Sequence, residues 1–425
     1  MSRVWRVTAP VAAGSSRVAF LFAVLALAFA GRAHAQQGPS MNSFYLNVNP
    51  TDGECCANVT FVQNLPPERK LPLPAVSMEH LGKGRYVILA QGAAPFPAPP
   101  PRSGFFVAVT AVASNAHCYE VSTLVRGARD LVGSVACVDP NGAPVDSQFS
   151  WSYRADSPDF VQFTVLPKNF GYAQVLPDGK LGTYFSPIAS AAADGGVSVR
   201  RVGSGLYKVT FAGLGTAKGA LDRKTGVGVL VSNICPEGPC GTRVCVPATW
   251  SVASNAATVD VRCSDPAGAP VDGAFRVFLG QEALNSQAFG KFAIASDYKK
   301  YHQHYNEGTN YGWVVSSERG APAGEQPVPH PQISFMNKGK DFPGPRPIDY
   351  FHLATGKYRV KFKDQLIYGQ TYWSMHASAR ESDAGTYCNV GDIDYKTAQI
   401  GVNCYDGRGA PRDASWSLAM RRLYN

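Results

Sequence analysis

At 425 residues with a hydrophobic fraction of 45%, the chain has length for roughly two to four domains and enough apolar side chains to give them real cores. Its formal charge of +9 falls to +5 once the first 35 residues, with four arginines and no acid, are set aside, and residues 288–380 carry that remainder by themselves. A modest local excess without clustered Lys and Arg excludes the footprint of a nucleic-acid-binding protein.

The N-terminus places Arg3, Arg6 and Arg17 ahead of the apolar run 18–30, followed by Ala33-His34-Ala35. A basic lead, a short apolar core and small residues before Gln36 form an export signal over residues 1–35. The run is too short to cross a bilayer, and no later stretch reaches the roughly 18 apolar residues that a span requires. A soluble mature protein is expected, secreted to the extracellular space or retained in the periplasm.

Four landmarks then recur three times in the same order. The first is an aromatic opening: Phe44-Tyr-Leu-Asn-Val48, Gly171-Tyr172-Ala-Gln-Val175 and Tyr311-Gly-Trp313-Val314. The second is Gly84-Arg-Tyr86-Val-Ile-Leu89, Gly205-Leu-Tyr207-Lys-Val209-Thr-Phe211 and Gly356-Lys-Tyr358-Arg-Val360-Lys-Phe362. Alternation with period two after a glycine is the pattern of a half-buried strand. The third is an apolar stretch before a cysteine, at 105–111, 226–232 and 372–377. The fourth is a turn phrase: Asp139-Pro-Asn-Gly142-Ala-Pro144-Val-Asp146, Asp265-Pro-Ala-Gly268-Ala-Pro270-Val-Asp272 and Asp406-Gly-Arg-Gly409-Ala-Pro411-Arg-Asp413. Gly permits positive φ, Pro fixes φ and Asp bonds nearby backbone, so each phrase reads as strand, tight turn, strand.

Tyr86 and Tyr207 lie 121 residues apart, and Tyr207 and Tyr358 lie 151 apart, so each unit is domain-sized. With 42 glycines, 31 prolines, abundant Tyr and Phe, and no long amphipathic helix, the chain reads as all-β. The expected architecture is three tandem β-sandwich, jelly-roll-like domains from an internal repeat, at 36–156, 157–284 and 285–425. The first carries a Pro-rich insertion; the third has an extended N-terminal segment and a Gly/Pro loop at 320–347.

All ten cysteines follow the signal, and an even number in an exported chain reads as disulfides. Cys118 with Cys137, Cys245 with Cys263, and Cys388 with Cys404 occupy one place in the repeat, at separations of 19, 18 and 16. Cys235 and Cys240 flank Pro-Glu-Gly-Pro and are expected to pair locally. Cys55 and Cys56 are adjacent, and each has to reach elsewhere. Zinc ligation is the alternative, but there is no CxxC pair and an oxidising destination argues against it.

Candidate chemistry is sparse. His302 and His304 would face one side of a strand and could share a metal, with Asp297 or Glu307 as a third ligand. A polar, aromatic linker explains them better, and no cofactor is implied. The repeated acids could serve as a glycosidase pair or as calcium ligands. Three identical pairs around Gly-x-Pro fit turn formation better, because enzymes seldom need one dyad in every domain. No linear catalytic or phosphate-cradling motif is present. The most suggestive surface joins Tyr301, Tyr305, Tyr311 and Trp313 with Lys299 and Lys300. Aromatics stack on sugar rings, and Lys meets acidic groups of cell-surface polymers; the alternative is that these side chains fill a core or a seam.

The phrase Val-x-Val-x-Cys-x-Asp-x-x-Gly-x-Pro-Val-Asp-x-x-Phe, clearest at 259–275, resembles repeats in secreted bacterial proteins of uncharacterised function. That likeness implies an exported β-rich protein and brings no catalytic residues; the third copy departs most, with Arg412 and Trp416. Units of about this size with Gly-x-Tyr and a closing aromatic strand also look like the C1q/TNF-type jelly roll, which implies an intramolecular pseudo-trimer. The sequence therefore points to a non-enzymatic binding or adhesion protein for a glycan or cell-surface polymer. An extracellular hydrolase with a site in 285–350 and a structural interaction scaffold are the alternatives.

Overall fold

Each alternating stretch becomes a strand, and strands far apart in the chain pair to close packed cores. The computed structural model describes residues 43–48, 58–62, 75–92, 105–126, 130–155, 170–186, 196–215, 227–236, 241–280, 309–316, 333–336, 348–362, 372–380, 385–394, 397 and 399–423. Every regular element among them is a β-strand. A first set of eight comprises β1 (Ser43–Val48), β2 (Asn58–Val62), β3 (Val76–Gly82), β4 (Arg85–Ala90), β5 (Phe105–Ala111), β6 (His117–Arg126), β7 (Asp130–Val138) and β8 (Phe149–Ala155). A second comprises β9 (Phe170–Val175), β10 (Leu181–Phe185), β11 (Val197–Gly203), β12 (Leu206–Ala212), β13 (Gly228–Ile234), β14 (Val244–Val252), β15 (Ala256–Ser264) and β16 (Ala274–Gly280). A third comprises β17 (Thr309–Ser316), β18 (Ile333–Met336), β19 (Ile348–Ala354), β20 (Lys357–Phe362), β21 (Tyr372–Arg380), β22 (Tyr387–Asp394), β23 (Gln399–Tyr405) and β24 (Ser415–Leu423).

The strand order is the same in each set. The second, first, eighth and fifth strands form one sheet, and the third, fourth, seventh and sixth form the other. The two sheets share one core: Leu46, Val107 and Trp151 from one face Tyr86, Ile88 and Val135 from the other. Two further clusters repeat this around Phe275 and Trp416. The eight-strand, two-sheet count is that of a jelly roll, although here three hairpins stay within a sheet in the first set, β1–β2, β3–β4 and β6–β7. Register irregularities also recur at matching places, at Glu120/Ser122, Pro247/Thr249 and Val390/Ile393 in the sixth strands. Such bulges bend a strand and raise its local twist.

Burial divides the strands into two kinds. β7, β15 and β23 alternate, with one face in the core and the other open. β16 is buried at all seven positions, and β5 and β13 nearly so. Their second faces meet another set, through a cluster that joins Phe106 and Ala108 to Phe170, Tyr172, Leu230 and Phe278, with Ala419 from the third set.

Three seams connect the sets. Ile234 of β13 pairs in parallel with Glu120 of β6, and Cys235 N donates to Glu120 O at 2.8 Å. Val112, just after β5, pairs in parallel with Val390 of β22, and Ala113 N donates to Val390 O at 2.9 Å. Ala111 opposes Phe149, Asn233 opposes Phe275 and Ala379 opposes Trp416, so Val112, Ile234 and Arg380 are equivalent. Both ladders thus use the same positions. At the third seam these positions hold Arg380 and Pro247, and Pro247 has no N–H to give to a ladder. There the Arg380 guanidinium lies 3.9 Å from the centre of the Trp250 ring, and Val244 and Val246 pack into the third core.

The turn phrases lie at these seams too. A Cβ on Gly142 would approach Gly241, one on Gly385 would meet Asp265 O and Pro266 O, and one on Gly409 would strike Pro140. Gly407 replaces the proline of the other two phrases because Pro266 backbone fills the space a side chain would need.

Candidate functional site

Lys299, Lys300, Tyr301, His302, His304 and Tyr305 lie outside the described residues, as do Cys55, Cys56 and Cys240. Tyr311 and Trp313 lie on β17, where Tyr311 opposes Arg421 and Trp313 stands between Ala419 of β24 and Phe335 of β18. The disulfides Cys118–Cys137, Cys245–Cys263 and Cys388–Cys404 are formed, each between directly opposed residues of the sixth and seventh strands, with Cα atoms 4.1, 3.9 and 4.0 Å apart. Cys235 is also disulfide-bonded.

The repeated acids divide into two roles, only one of which is turn formation. The first acid of each phrase does close its turn: Asp139 accepts from Asn141 N and Ala143 N, Asp265 from Ala269 N, and Asp406 from Arg408 N and Ala410 N, all at 2.8–2.9 Å. The second acid reaches across the fold. Asp146 accepts from Gly84 N at 2.7 Å and from the Tyr86 hydroxyl at 3.0 Å, and it bonds His80 Nε2 at 2.9 Å. Asp272 accepts from Gly205 N at 2.8 Å, the Tyr207 hydroxyl at 3.1 Å and both Nε and Nη2 of Arg201. Asp413 accepts from Gly356 N at 2.7 Å and the Tyr358 hydroxyl at 3.3 Å, and it bonds His352 Nε2 at 3.0 Å. Each tyrosine oxygen in turn accepts the N–H of the residue after its aspartate, Ser147, Gly273 or Ala414. The acid therefore pins the turn to the hairpin of the third and fourth strands.

The electrostatics follow from that geometry. The Arg201 guanidinium, helped by Gly205 N and Tyr207, outweighs burial and holds Asp272 down at about 2. For Asp146, burial pushes upward, but the bonds from Gly84 N, Tyr86 and His80 prevail and lower it. Burial raises the tyrosines, so they remain neutral donors. Bonded across the fold in this way, these acids work as clamps.

Sequence reading missed the polar groups at the seams. Arg276 and Glu120 form a two-pronged ion pair at 2.8 and 2.9 Å, with side-chain exposures of 3% and 1%. His376 bonds the Ser152 hydroxyl at 2.6 Å and the Thr110 hydroxyl at 3.2 Å, and burial lowers it to about 3. His117 packs against Tyr387 with ring centres 3.7 Å apart and ring planes tilted by 43°, and burial lowers it likewise to about 3. Tyr387 donates to Asn115 O at 2.7 Å, and Asn389 donates to Ser114 O and Ala116 O. The available signal was disagreement between copies: Arg276 stands where the others have Ser150 and Ser417, and His376 where they have Ala108 and Leu230.

Where the fifth and sixth strands of the three sets converge there is a cavity of about 50 Å³. Among the described residues no group of three or more His, Cys, Asp or Glu is placed to hold a metal ion, and no helix is long and apolar enough to cross a membrane. No protein-family model, curated protein or solved structure matches the chain.

Proposed function

We propose that the protein is an exported, non-enzymatic binding module in which three copies of one repeat close into an intramolecular pseudo-trimer, with an acidic glycan or cell-surface polymer as its ligand. The observation that carries the reading is the recurrence of seam contacts at equivalent positions, from first set to second and from third back to first. A ring of this kind uses a head-to-tail interface that closes on itself, so the contact surfaces are consumed within one chain. Export is supported by the three disulfides, which persist in oxidising compartments.

What the ring leaves exposed suits an acidic partner. The hairpins of the third and fourth strands present Leu81 and Val202 at 56% and 50% exposure. Lys83, Arg85, Arg200, Lys357 and Arg359 stand exposed on the same hairpins. Apolar surface beside cations, together with the aromatic stretch 301–313, matches a polymer of sugar rings and acidic groups.

The test is an array of neutral and acidic glycans probed with the mature protein. Retention on acidic glycans is expected, weakening with salt, lost on Tyr301→Ala with Trp313→Ala and reduced by Lys83→Glu with Arg200→Glu. A blank array overturns the ligand class. Cleavage of a bound glycan, read by mass spectrometry, would replace this reading with the hydrolase of residues 285–350.

A further inference from the structure

The cavity at the convergence of the three sets has a lopsided chemistry. Its wall includes Thr110 and His117 from the first set, Ser232 and Arg243 from the second, and Ser378 and Asn389 from the third. Among the described residues no Asp or Glu lines it. The polar groups of its wall are largely engaged: Thr110 with His376, Ser232 with Val109 N, Ser378 with Ala379 O, and Asn389 with Ser114 O and Ala116 O. Asn233, also in the wall, accepts from Cys245 N through Oδ1.

Two nitrogen-bearing groups remain. His117 is 8% exposed, and its Nε2 is buried with no hydrogen-bond partner. Arg243 is partly exposed and has no ion pair among the described residues. It and Asn233 are the wall residues that reach toward solvent, which puts the mouth of the cavity in the second set. A buried unpartnered nitrogen and an unpaired guanidinium, with no carboxylate among the described wall residues, form a site of positive potential in a poorly screened place.

We propose that this cavity binds a small monovalent anion, chloride or a carboxylate of one or two carbons, with Arg243 as its charge partner and His117 as its buried hydrogen-bond donor. The volume suits that class. A water requires about 10–15 Å³ by the same measure, so 50 Å³ takes an ion with a few waters and excludes a sugar ring. Among the described residues, the titratable groups at His117 are Tyr387 against its ring and Tyr119 and Arg243 in the wall, none of them a carboxylic acid. With no carboxylate among the described wall residues, a bound anion favours the imidazolium form and binds more tightly as the pH falls. Because the wall draws on all three sets, the bound anion stabilises the closed ring by mass action.

Two measurements decide the matter. In crystals of the whole protein soaked in sodium bromide, an anomalous peak is expected within hydrogen-bonding distance of Arg243; bromide found only on the outer surface overturns the proposal, whatever happens to any variant. Thermal unfolding at constant ionic strength is then followed as sodium gluconate, too large for the cavity, is exchanged for chloride or for formate. The wild-type Tm is expected to rise in the chloride arm, the formate arm or both, more at pH 5 than at pH 8, and the responding arm identifies the ligand. Arg243→Gln should abolish the rise, and His117→Phe should remove its pH dependence. An equal response in wild type and Arg243→Gln is a bulk salt effect and refutes the site.

Discussion

Arg276→Met is the most informative perturbation of the seams. Arg276 gives Nε and Nη2 to Glu120, and its Nη1 donates to Phe105 O at 3.1 Å and to Thr183 Oγ1 at 3.3 Å. Its guanidinium also lies 4.3 Å from the centre of the Phe105 ring. Hydrogen bonds to charged groups contribute about 1.5–3 kcal/mol each, so losing two of them costs about 3–6 kcal/mol. Breaking one side of a buried ion pair, measured elsewhere at about 3–5 kcal/mol, agrees. Methionine restores most of the volume, so the loss reports charge and hydrogen bonding rather than a cavity. The sign of the pH dependence is fixed as well. Without its cation, the buried Glu120 carboxylate is an uncompensated charge, a cost that protonation relieves. The penalty relative to wild type is therefore full at pH 7.5 and smaller at pH 4. Urea unfolding of both proteins at pH 7.5 and pH 4 measures it, with Glu120→Leu plus Arg276→Met expected to recover most of the loss. A penalty under about 1 kcal/mol at pH 7.5, or one equal at both pH values, would refute the buried-pair account.

Four further outcomes follow from the same geometry. Tyr207→Phe removes the hydroxyl shared by Asp272 and Gly273 and should cost about 1–2 kcal/mol in chemical denaturation, with the far-UV spectrum unchanged. Asp272 is held at about 2 against an ordinary 3.8, so its contribution is present above the ordinary value and is lost as the pH falls through 2; Arg201→Ala should flatten that acid limb of the stability curve. Removing Cys245–Cys263 by paired alanines should cost about 3 kcal/mol, as its 18-residue separation predicts, and mass mapping without reductant should recover that linkage in the wild type. Gly407→Ala places a methyl group against Pro266 backbone and should cost about 1–3 kcal/mol by overpacking, whereas alanine at Gly82, where a Cβ meets nothing, leaves packing intact and loses only what its positive φ imposes.

Much of the fold was legible in the chain. Alternation after Gly84, Gly205 and Gly356 located three half-buried strands, and the cysteine spacings located three opposed pairs, because pleat period and hairpin register are local properties. The turn-forming role of Asp139, Asp265 and Asp406 was local too. The second acids belong to the same phrase, but their partners lie far along the chain. Tyr86 and Asp146 are 60 residues apart, a partnership that no local pattern encodes.

The sequence by itself therefore determined the strand-rich class, the cysteine pairs and the recurring turns, all set by residues within a few positions of each other. Only the tertiary structure decided which strands are buried on both faces, why Gly407 replaces a proline, and where Arg276, His376 and His117 sit. Those outcomes depend on seams between sets far apart in the chain, where a residue's surroundings come from strands more than a hundred positions away. A buried ion pair or an unpartnered imidazole acquires its meaning from the loss of water around it, and that loss occurs only when the seams close.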